Sequence, residues 1–123
     1  MKQKPPLEKE VQKACLDWLN TLPNCRFWRR NTGAAISEYK GKSRMIRFSE
    51  PGQSDIWGIL PAGIHCEIEV KRKGGKPSPE QQAWLEAVAK LGGAAFIADS
   101  LDACIEGIRE HWVGMWRKSW EPK

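Results

Sequence analysis

The sequence has no long hydrophobic run, no closely paired cysteines and no apolar N-terminal segment, and each absence excludes a class of protein. No stretch approaches the roughly 18 apolar residues that a membrane helix needs. The opening MKQKPPLEKE lacks the apolar core of a secretory signal. We therefore expect a cytoplasmic protein that does not associate with membranes.

The four cysteines and two histidines do not form a zinc-binding pattern. No CxxC pair is present, and the two histidines, His65 and His111, are far apart in the sequence. Zinc sites usually show short ligand spacings. We expect reduced, buried thiols at the four cysteines, which are Cys15, Cys25, Cys66 and Cys104.

Common catalytic and phosphate-binding motifs are absent as well. There is no GxSxG nucleophile turn. The segment Gly41-Lys42-Ser43 resembles the end of a P-loop, but Ile36 stands where that motif needs glycine. Gly74-Gly75-Lys76 is followed by proline. The sequence therefore disfavours a serine hydrolase and a P-loop nucleotide site.

What remains is a small basic protein that is rich in tryptophan. The 123 residues suit a single domain over 1–123, and 41% hydrophobic with 28% charged residues is typical of a soluble fold. Twenty Lys and Arg against 15 acidic residues give a net charge of +5, which favours a polyanionic partner. The seven tryptophans can serve a core, an interface or base stacking.

Hydrophobic periodicity predicts an α/β fold with the approximate order αββββαβα, within one strand. Ser78, Pro79 and Gln81 form the pattern of a helix N-terminus with a capping box. The predicted elements are a helix over 6–21, a strand over 25–31, a loop or irregular hairpin over 31–47, strands over 55–60 and 64–72, a basic linker over 73–77, a helix from Ser78 to Leu91, a strand over 94–98 and a last helix from Leu101.

The predicted hairpin over 55–71 is the most informative segment. Pro61-Ala62-Gly63 fits a three-residue loop with glycine in the left-handed conformation, so Leu60 pairs with Ile64. This register puts Asp55 opposite Glu69, with Cβ atoms about 4.5–5.5 Å apart.

Like charges at that distance are destabilising, so something must compensate for them. Mg²⁺ or Mn²⁺ is a natural candidate because hard cations take carboxylate oxygens. Lys71 lies on the same side and could partly neutralise the pair, or meet a phosphate or a nucleophilic water. The alternative is an ordinary solvated polar face, which is common on antiparallel sheets.

Asp55 followed by Glu69-Val70-Lys71 resembles the PD-(D/E)XK nuclease motif, with Ser54 where proline usually stands. Further segments are similar to the VRR-NUC branch of that superfamily, over about residues 7–106. They are Glu8-Lys9-Glu10-Val11-Gln12, Asn31-Thr32-Gly33, Gly52-Gln53-Ser54-Asp55, Ser78-Pro79-Glu80-Gln81 with Trp84-Leu85, and Gly92-Gly93-Ala94. The chain length resembles stand-alone phage and bacterial members.

The resemblance implies a restriction-endonuclease-like core, with a mixed β-sheet flanked by helices. It implies Mg²⁺- or Mn²⁺-dependent hydrolysis of DNA phosphodiester bonds, with selectivity for branched, junction or flap DNA. Asp55, Glu69 and the Val70 carbonyl would hold the metal, and Glu8 would complete the acidic cluster. Lys71 would orient or activate water, and Gln81 would reach the site. A non-catalytic nucleic-acid-binding module and an RNA-processing nuclease remain alternatives.

Basic residues on both sides of the hairpin are candidate phosphate contacts, which would make binding sensitive to salt. The candidates for nucleic-acid binding are Arg29, Arg30, Asn31, Lys42, Arg44, Arg47, Lys73 and Lys76. In the tail over 107–123, Trp112, Trp116 and Trp120 form a helical stripe. Core packing or a homodimer is the simpler interpretation of the stripe, and DNA stacking is the alternative. Stand-alone members resemble dimers, so we expect a homodimer.

Overall fold

The fold is a mixed four-stranded sheet between helices, with a separate two-stranded hairpin. The computed structural model describes residues 4–31, 34–47 and 50–112. Its elements are α1 (Glu8–Leu19), β1 (Arg26–Arg29), β2 (Ala34–Tyr39), β3 (Lys42–Arg47), β4 (Ile56–Leu60), β5 (Ile64–Val70), α2 (Pro79–Lys90), β6 (Ala94–Ala98) and α3 (Leu101–His111).

The sheet has the strand order β1-β4-β5-β6, and only its last pair is parallel. Strands β4 and β5 pair Leu60 with Ile64 and Ile56 with Ile68, so the predicted register is confirmed. A single 3-10 turn over Pro61–Gly63 joins them. The predicted αβ architecture, a mixed sheet flanked by helices, is therefore present.

The segment over 31–47 is more regular than a loop or irregular hairpin. Strands β2 and β3 pair antiparallel from Ala34 with Arg47 to Tyr39 with Lys42. Five strands therefore precede α2, one more than the predicted order αββββαβα has. The sequence signal was weak because a two-stranded ribbon need not carry a buried apolar face.

Two further details differ from the sequence prediction. In the hairpin turn Gly63 is left-handed as predicted, but Ala62 is left-handed too, with φ at 68°. At the C-terminus of α3, the helix ends at His111 and Trp112 is extended. Trp112 lies in the core at 4% exposure, so it does not begin an exposed helical stripe. Trp116 and Trp120 lie outside the described residues.

One face of the sheet packs on α1 and α3 and forms the core. Alternation along β4 and β5 directs apolar side chains to this face. Its buried members include Val11, Cys15, Leu19, Phe27, Ile56, Leu60, Cys66, Ile68, Val70, Ala98, Cys104 and Ile108. All four cysteines are free, as predicted, and three of them are fully buried. Cys25 is only partly buried, so the prediction of a buried thiol is wrong there.

The opposite face carries the polar alternates of the same strands. Helix α2 packs on β5 and β6. Within the described residues, it has at most minor contact with β1 and β4. This face is therefore covered over one half, where β5 and β6 lie. No helix in the described part of the chain is long and apolar enough to cross a membrane.

Side chains at the helix termini connect the elements. The side-chain amide of Asn20, just past α1, accepts a hydrogen bond from Phe27 N at 3.1 Å and donates one to Phe27 O at 3.3 Å. It thereby binds the edge of β1 through the same backbone groups that a neighbouring strand would use. At α2, Ser78 Oγ accepts from Gln81 N at 3.2 Å and Gln81 Oε1 accepts from Ser78 N at 2.8 Å. The predicted capping box is confirmed.

We expect Gly107→Ala to destabilise the protein, because α3 approaches β6 closely at this residue. A Cβ at Gly107 would lie 2.2 Å from Phe96 Cε2. Overpacking of this kind costs about 1–3 kcal/mol, which outweighs the helix-propensity gain of up to about 1 kcal/mol. Urea unfolding of the single variant and of Gly107→Ala in a Phe96→Leu background measures the effect. If the loss persists in the smaller background, the contact with Phe96 is not its cause.

Candidate active site

An acidic pair lies where β4 begins and β5 ends. Asp55 precedes β4 by one residue, and its carbonyl accepts from Arg30 N at 2.7 Å, which extends the β1–β4 ladder. Asp55 Oδ2 accepts from Val70 N at 3.0 Å. The Asp55 carboxylate thus turns toward the end of β5, beside Glu69.

Glu69 is buried at 1% exposure and has only part of its hydrogen-bonding capacity satisfied. Its Oε1 accepts from Gln81 Nε2 at 3.0 Å and lies 3.7 Å from Lys71 Nζ. Its Oε2 is buried and has no hydrogen-bond partner among the described residues. This burial contradicts the alternative of a solvated polar face.

Burial and neighbouring acids raise the pKa of Glu69 to about 8. Desolvation is the largest cause, followed by the charge of Asp55 and by a shared hydrogen bond with Asp55. The charge of Glu8 adds a smaller upward effect, and that of Lys71 acts in the opposite direction. Asp55, Glu69 and Glu8 therefore share one electrostatic environment.

Two of these residues fit a divalent cation. Two neighbouring carboxyl groups, one of them with an orphaned buried oxygen, are the donor set that a hard cation prefers. Among the described residues, no three His, Cys, Asp or Glu side chains converge closely enough to hold a metal ion. A metal at Asp55 and Glu69 would therefore need a backbone oxygen and water to complete its coordination. The Val70 carbonyl and Glu8 stay predicted ligands.

Gln81 reaches the acidic pair because of the same contacts that cap α2. Its Oε1 closes the capping box, and its Nε2 remains to donate to Glu69. The loop before Asp55 passes close beneath this helix terminus at Gly52, where φ is 88° and a Cβ would lie 2.5 Å from the Glu80 carbonyl oxygen. Gln81 therefore makes both the capping contact and the contact with Glu69.

Next to the acidic pair, Glu67 forms a second buried cluster that the sequence analysis missed. Glu67 is fully buried, and both its oxygens bind the Arg30 guanidinium, one of them at 2.9 Å. Trp84 Nε1 donates to Glu67 Oε1 at 2.8 Å, and His65 Nε2 lies 2.6 Å from Oε2. The Arg30 guanidinium is bound to Glu67 here, and its predicted contact with nucleic acid stays a prediction. The register placed Glu67 on the same side as Glu69, which was the available signal.

The other residues that were predicted to contact nucleic acid lie in different parts of the structure. Arg29 lines a cleft of about 250 Å³ between α1 and β1, together with Lys9, Gln12, Lys13 and Leu16. Asn31, Lys42, Lys73 and Lys76 are exposed. Arg44 and Arg47 lie on β3, with side chains outside the described part. The phosphate contacts of all of these stay predictions.

Comparison with known proteins gives matches at the level of structure. No protein-family model and no curated protein matches the chain. A solved structure described as a VRR_NUC domain superposes with a TM-score of 0.58 at 26% identity, over 86% of this chain and 97% of that chain. This chain has the fold of a VRR-NUC domain. A second structure, a VRR_NUC domain protein, has the same fold with a TM-score of 0.53 at 22% identity, over 86% of this chain and 88% of that one.

The VRR-NUC fold explains the mixed sheet between helices as a restriction-endonuclease-like core, consistent with the PD-(D/E)XK superfamily. Ser54 precedes Asp55 at the position where the resemblance leads us to expect proline. Ser54 is fully buried, and its Oγ has no hydrogen-bond partner among the described residues. Its backbone carbonyl accepts from Arg30 at 3.2 Å. The hydroxyl therefore adds a desolvation cost that proline would not have.

We expect the metal-free protein to lose stability as pH rises from about 5 to 9. The pKa of Glu69 is about 8 when folded and near 4.5 when unfolded, so the folded state binds more protons over this range. Thermal unfolding in EDTA across this pH range measures the dependence. Glu69→Gln should flatten it and stabilise the protein at pH 8. An unchanged pH slope in this variant would show that Glu69 is not the titrating group.

Proposed function

We propose that this protein is a Mg²⁺- or Mn²⁺-dependent nuclease that hydrolyses DNA phosphodiester bonds, with selectivity for branched, junction or flap DNA. The observation that carries the proposal is the pair of half-buried Asp55 and buried Glu69, with an orphaned Glu69 oxygen and with Lys71 and Gln81 beside it. The structural likeness to VRR_NUC domains supports a nuclease-type domain. A basic protein with a net charge of +5 suits the polyanionic substrate.

Each residue of the site has a distinct task. Asp55 and Glu69 supply carboxylate oxygens, and the Val70 N–H fixes the orientation of Asp55. Gln81 holds Glu69 Oε1 at 3.0 Å, so the remaining Glu69 oxygen is directed to the ion. When bound, the divalent cation lowers the pKa of its water and neutralises charge that develops on the phosphate.

Lys71 supplies a positive charge next to the acidic pair. Its backbone N donates to Ala98 O at 3.0 Å, which fixes the end of β5 against β6. Its ammonium lies 3.7 Å from Glu69, and the side chain is 16% exposed. From this position it can orient the attacking water or stabilise the transition-state charge, and partial burial strengthens both effects.

We expect Asp55→Asn and Glu69→Gln to abolish metal-dependent cleavage, and Lys71→Ala to reduce kcat by about 100-fold or more. These changes remove the ion's carboxylates or the nearby cation. Cleavage of labelled linear, flap, four-way and RNA substrates with Mg²⁺, Mn²⁺ or EDTA measures the effect. Lys90→Ala, at the exposed last turn of α2, is the matched control.

The outcomes distinguish the alternatives. Cleavage by the Asp55 and Lys71 variants at the parent rate contradicts the site. Binding without cleavage by the parent favours a non-catalytic module, and preferential RNA cleavage favours an RNA-processing nuclease. The homodimer also stays a prediction, and sedimentation of the parent protein tests it.

We expect the cleft between α1 and β1 to contact the DNA backbone. Arg29 is exposed there beside Lys9, while the Lys13 charge already pairs with Asp17 at 2.6 Å. Arg29→Ala and Lys9→Ala should each weaken binding and reduce the salt slope of log K by about 1. Fluorescence anisotropy in Ca²⁺ from low to high salt measures this, with Lys90→Ala as the control. Unchanged slopes would exclude this cleft from the interface.

A further inference from the structure

The sheet face that carries the acidic pair continues into a row of stacked rings. Trp28 and Trp57 pair across β1 and β4, with ring centroids 4.8 Å apart and an interplanar angle of 26°. His65 continues the row on the other side of Trp57, at 6.0 Å. Trp57 and Asp55 are two residues apart on the same strand, so their side chains share this face. Both indoles are partly exposed.

The row ends at the edge of the sheet, beside a cleft that the proposed chemistry does not use. The Arg26 guanidinium lies over the Trp28 ring, 5.7 Å from its centroid. Strand β1 is an edge strand, and Arg26 is exposed. A cleft of about 550 Å³ lies here, lined by Asn20, Cys25, Arg26, Phe27 and Trp28. This volume falls within the usual size of a small-molecule site.

We propose that this cleft is a stacking subsite for one unpaired nucleobase of the DNA strand that is cleaved. The inference rests on the proposed nuclease function. A planar guanidinium over Trp28 shows that the outer face of this ring can be reached by a flat group. A nucleobase that takes this place extends the stack, and the displaced Arg26 can then pair with a phosphate.

Charge and distance fit this occupant. Exposed Arg26 and Arg29 give the edge strand a positive charge that matches the DNA backbone. Trp28 lies on the strand next to that of Asp55 and is offset from it by two residues along the strand. The strand spacing and the rise per residue together give a separation of about 8 Å between the two residues. At about 3.4 Å per nucleotide along a strand, the stacked base lies about two nucleotides from the scissile phosphate.

The subsite would explain selectivity for branched or flap DNA. In a continuous duplex each base is stacked and paired, and taking it out costs a few kcal/mol. At a flap or junction an unpaired base is free to stack on Trp28. The subsite therefore favours substrates that have an unpaired base near the cleaved bond.

The test places a single abasic nucleotide in turn at each of the three positions on either side of the cut in a flap substrate. We expect one position at which kcat/KM falls about tenfold or more for the parent protein. Trp28→Ala should cause a similar fall on the intact flap and no further fall on that abasic substrate. Trp28→Phe should retain most of the activity. Trp18→Phe, on α1 at the opposite face of the sheet, is the matched control.

The abasic series requires no change in the protein, so it decides the matter even if Trp28→Ala folds poorly. A flat abasic series with active parent enzyme overturns the subsite and leaves the proposed function intact. An equal loss for Trp28→Ala on a fully paired duplex also overturns it. If the parent cleaves no substrate with Mg²⁺ or Mn²⁺, the nuclease proposal fails first. The contribution of the stacked base to binding is then measured by fluorescence anisotropy of the same oligonucleotides in Ca²⁺. Equal affinities for the intact flap and for every abasic flap overturn the subsite.

Discussion

The repulsion between the buried carboxylate of Glu69 and the half-buried carboxylate of Asp55 is the constraint on which the site depends. Asp55 and Glu69 are brought together by a hairpin whose register is fixed by its turn and by its apolar face. A carboxylate in a low-dielectric environment is costly unless it is paired or neutralised. Burial, and after it the charge of Asp55, raises the pKa of Glu69 to about 8, so a proton neutralises Glu69 unless a cation takes its place.

Strand β5 carries two buried glutamates that differ in their hydrogen bonding: the oxygens of one are all bonded, and one oxygen of the other has no partner among the described residues. Glu67 and Glu69 are two residues apart on the same face, and both are buried. Glu67 receives a bidentate Arg30, the Trp84 indole N–H and a contact from His65. Such a fully bonded group holds the fold together. Glu69 keeps an orphaned oxygen, so its remaining capacity is free for a ligand.

Much of the site follows from local sequence, and the remainder depends on distant contacts. The Pro61-Ala62-Gly63 turn and the alternation of β4 and β5 were enough to predict the register and the Asp55–Glu69 pair. The helix start at Ser78 was also a local signal. The burial of both glutamates depends instead on α2 packing over β5 and β6, a contact between segments that periodicity does not reveal.

The pairing of Arg30 with Glu67 also depends on contacts between distant segments, so the sequence does not reveal it. A cluster of arginines before a hairpin is compatible with solvent, with phosphate or with an internal acid, and the sequence gives no way to decide between them. Glu67 lies 37 residues later, and the pairing of β1 with β4 and of β4 with β5 brings the two side chains together. The regular β2–β3 ribbon was hidden for a different reason, since backbone pairing alone needs no apolar pattern.

The position of α2 would allow the proposed chemistry and access of the proposed DNA substrate to coexist on one face of the sheet. Helix α2 covers β5 and β6, which excludes water from Glu69 and strengthens its interactions with Asp55 and Lys71. The neighbouring half, on β1 and β4, carries the partly exposed Trp28 and Trp57. The acidic pair thus lies on the border between the two halves. A site deeper under α2 would be closed to a DNA strand, and one further toward β1 would lose the low dielectric that makes the carboxylate pair unstable without a cation.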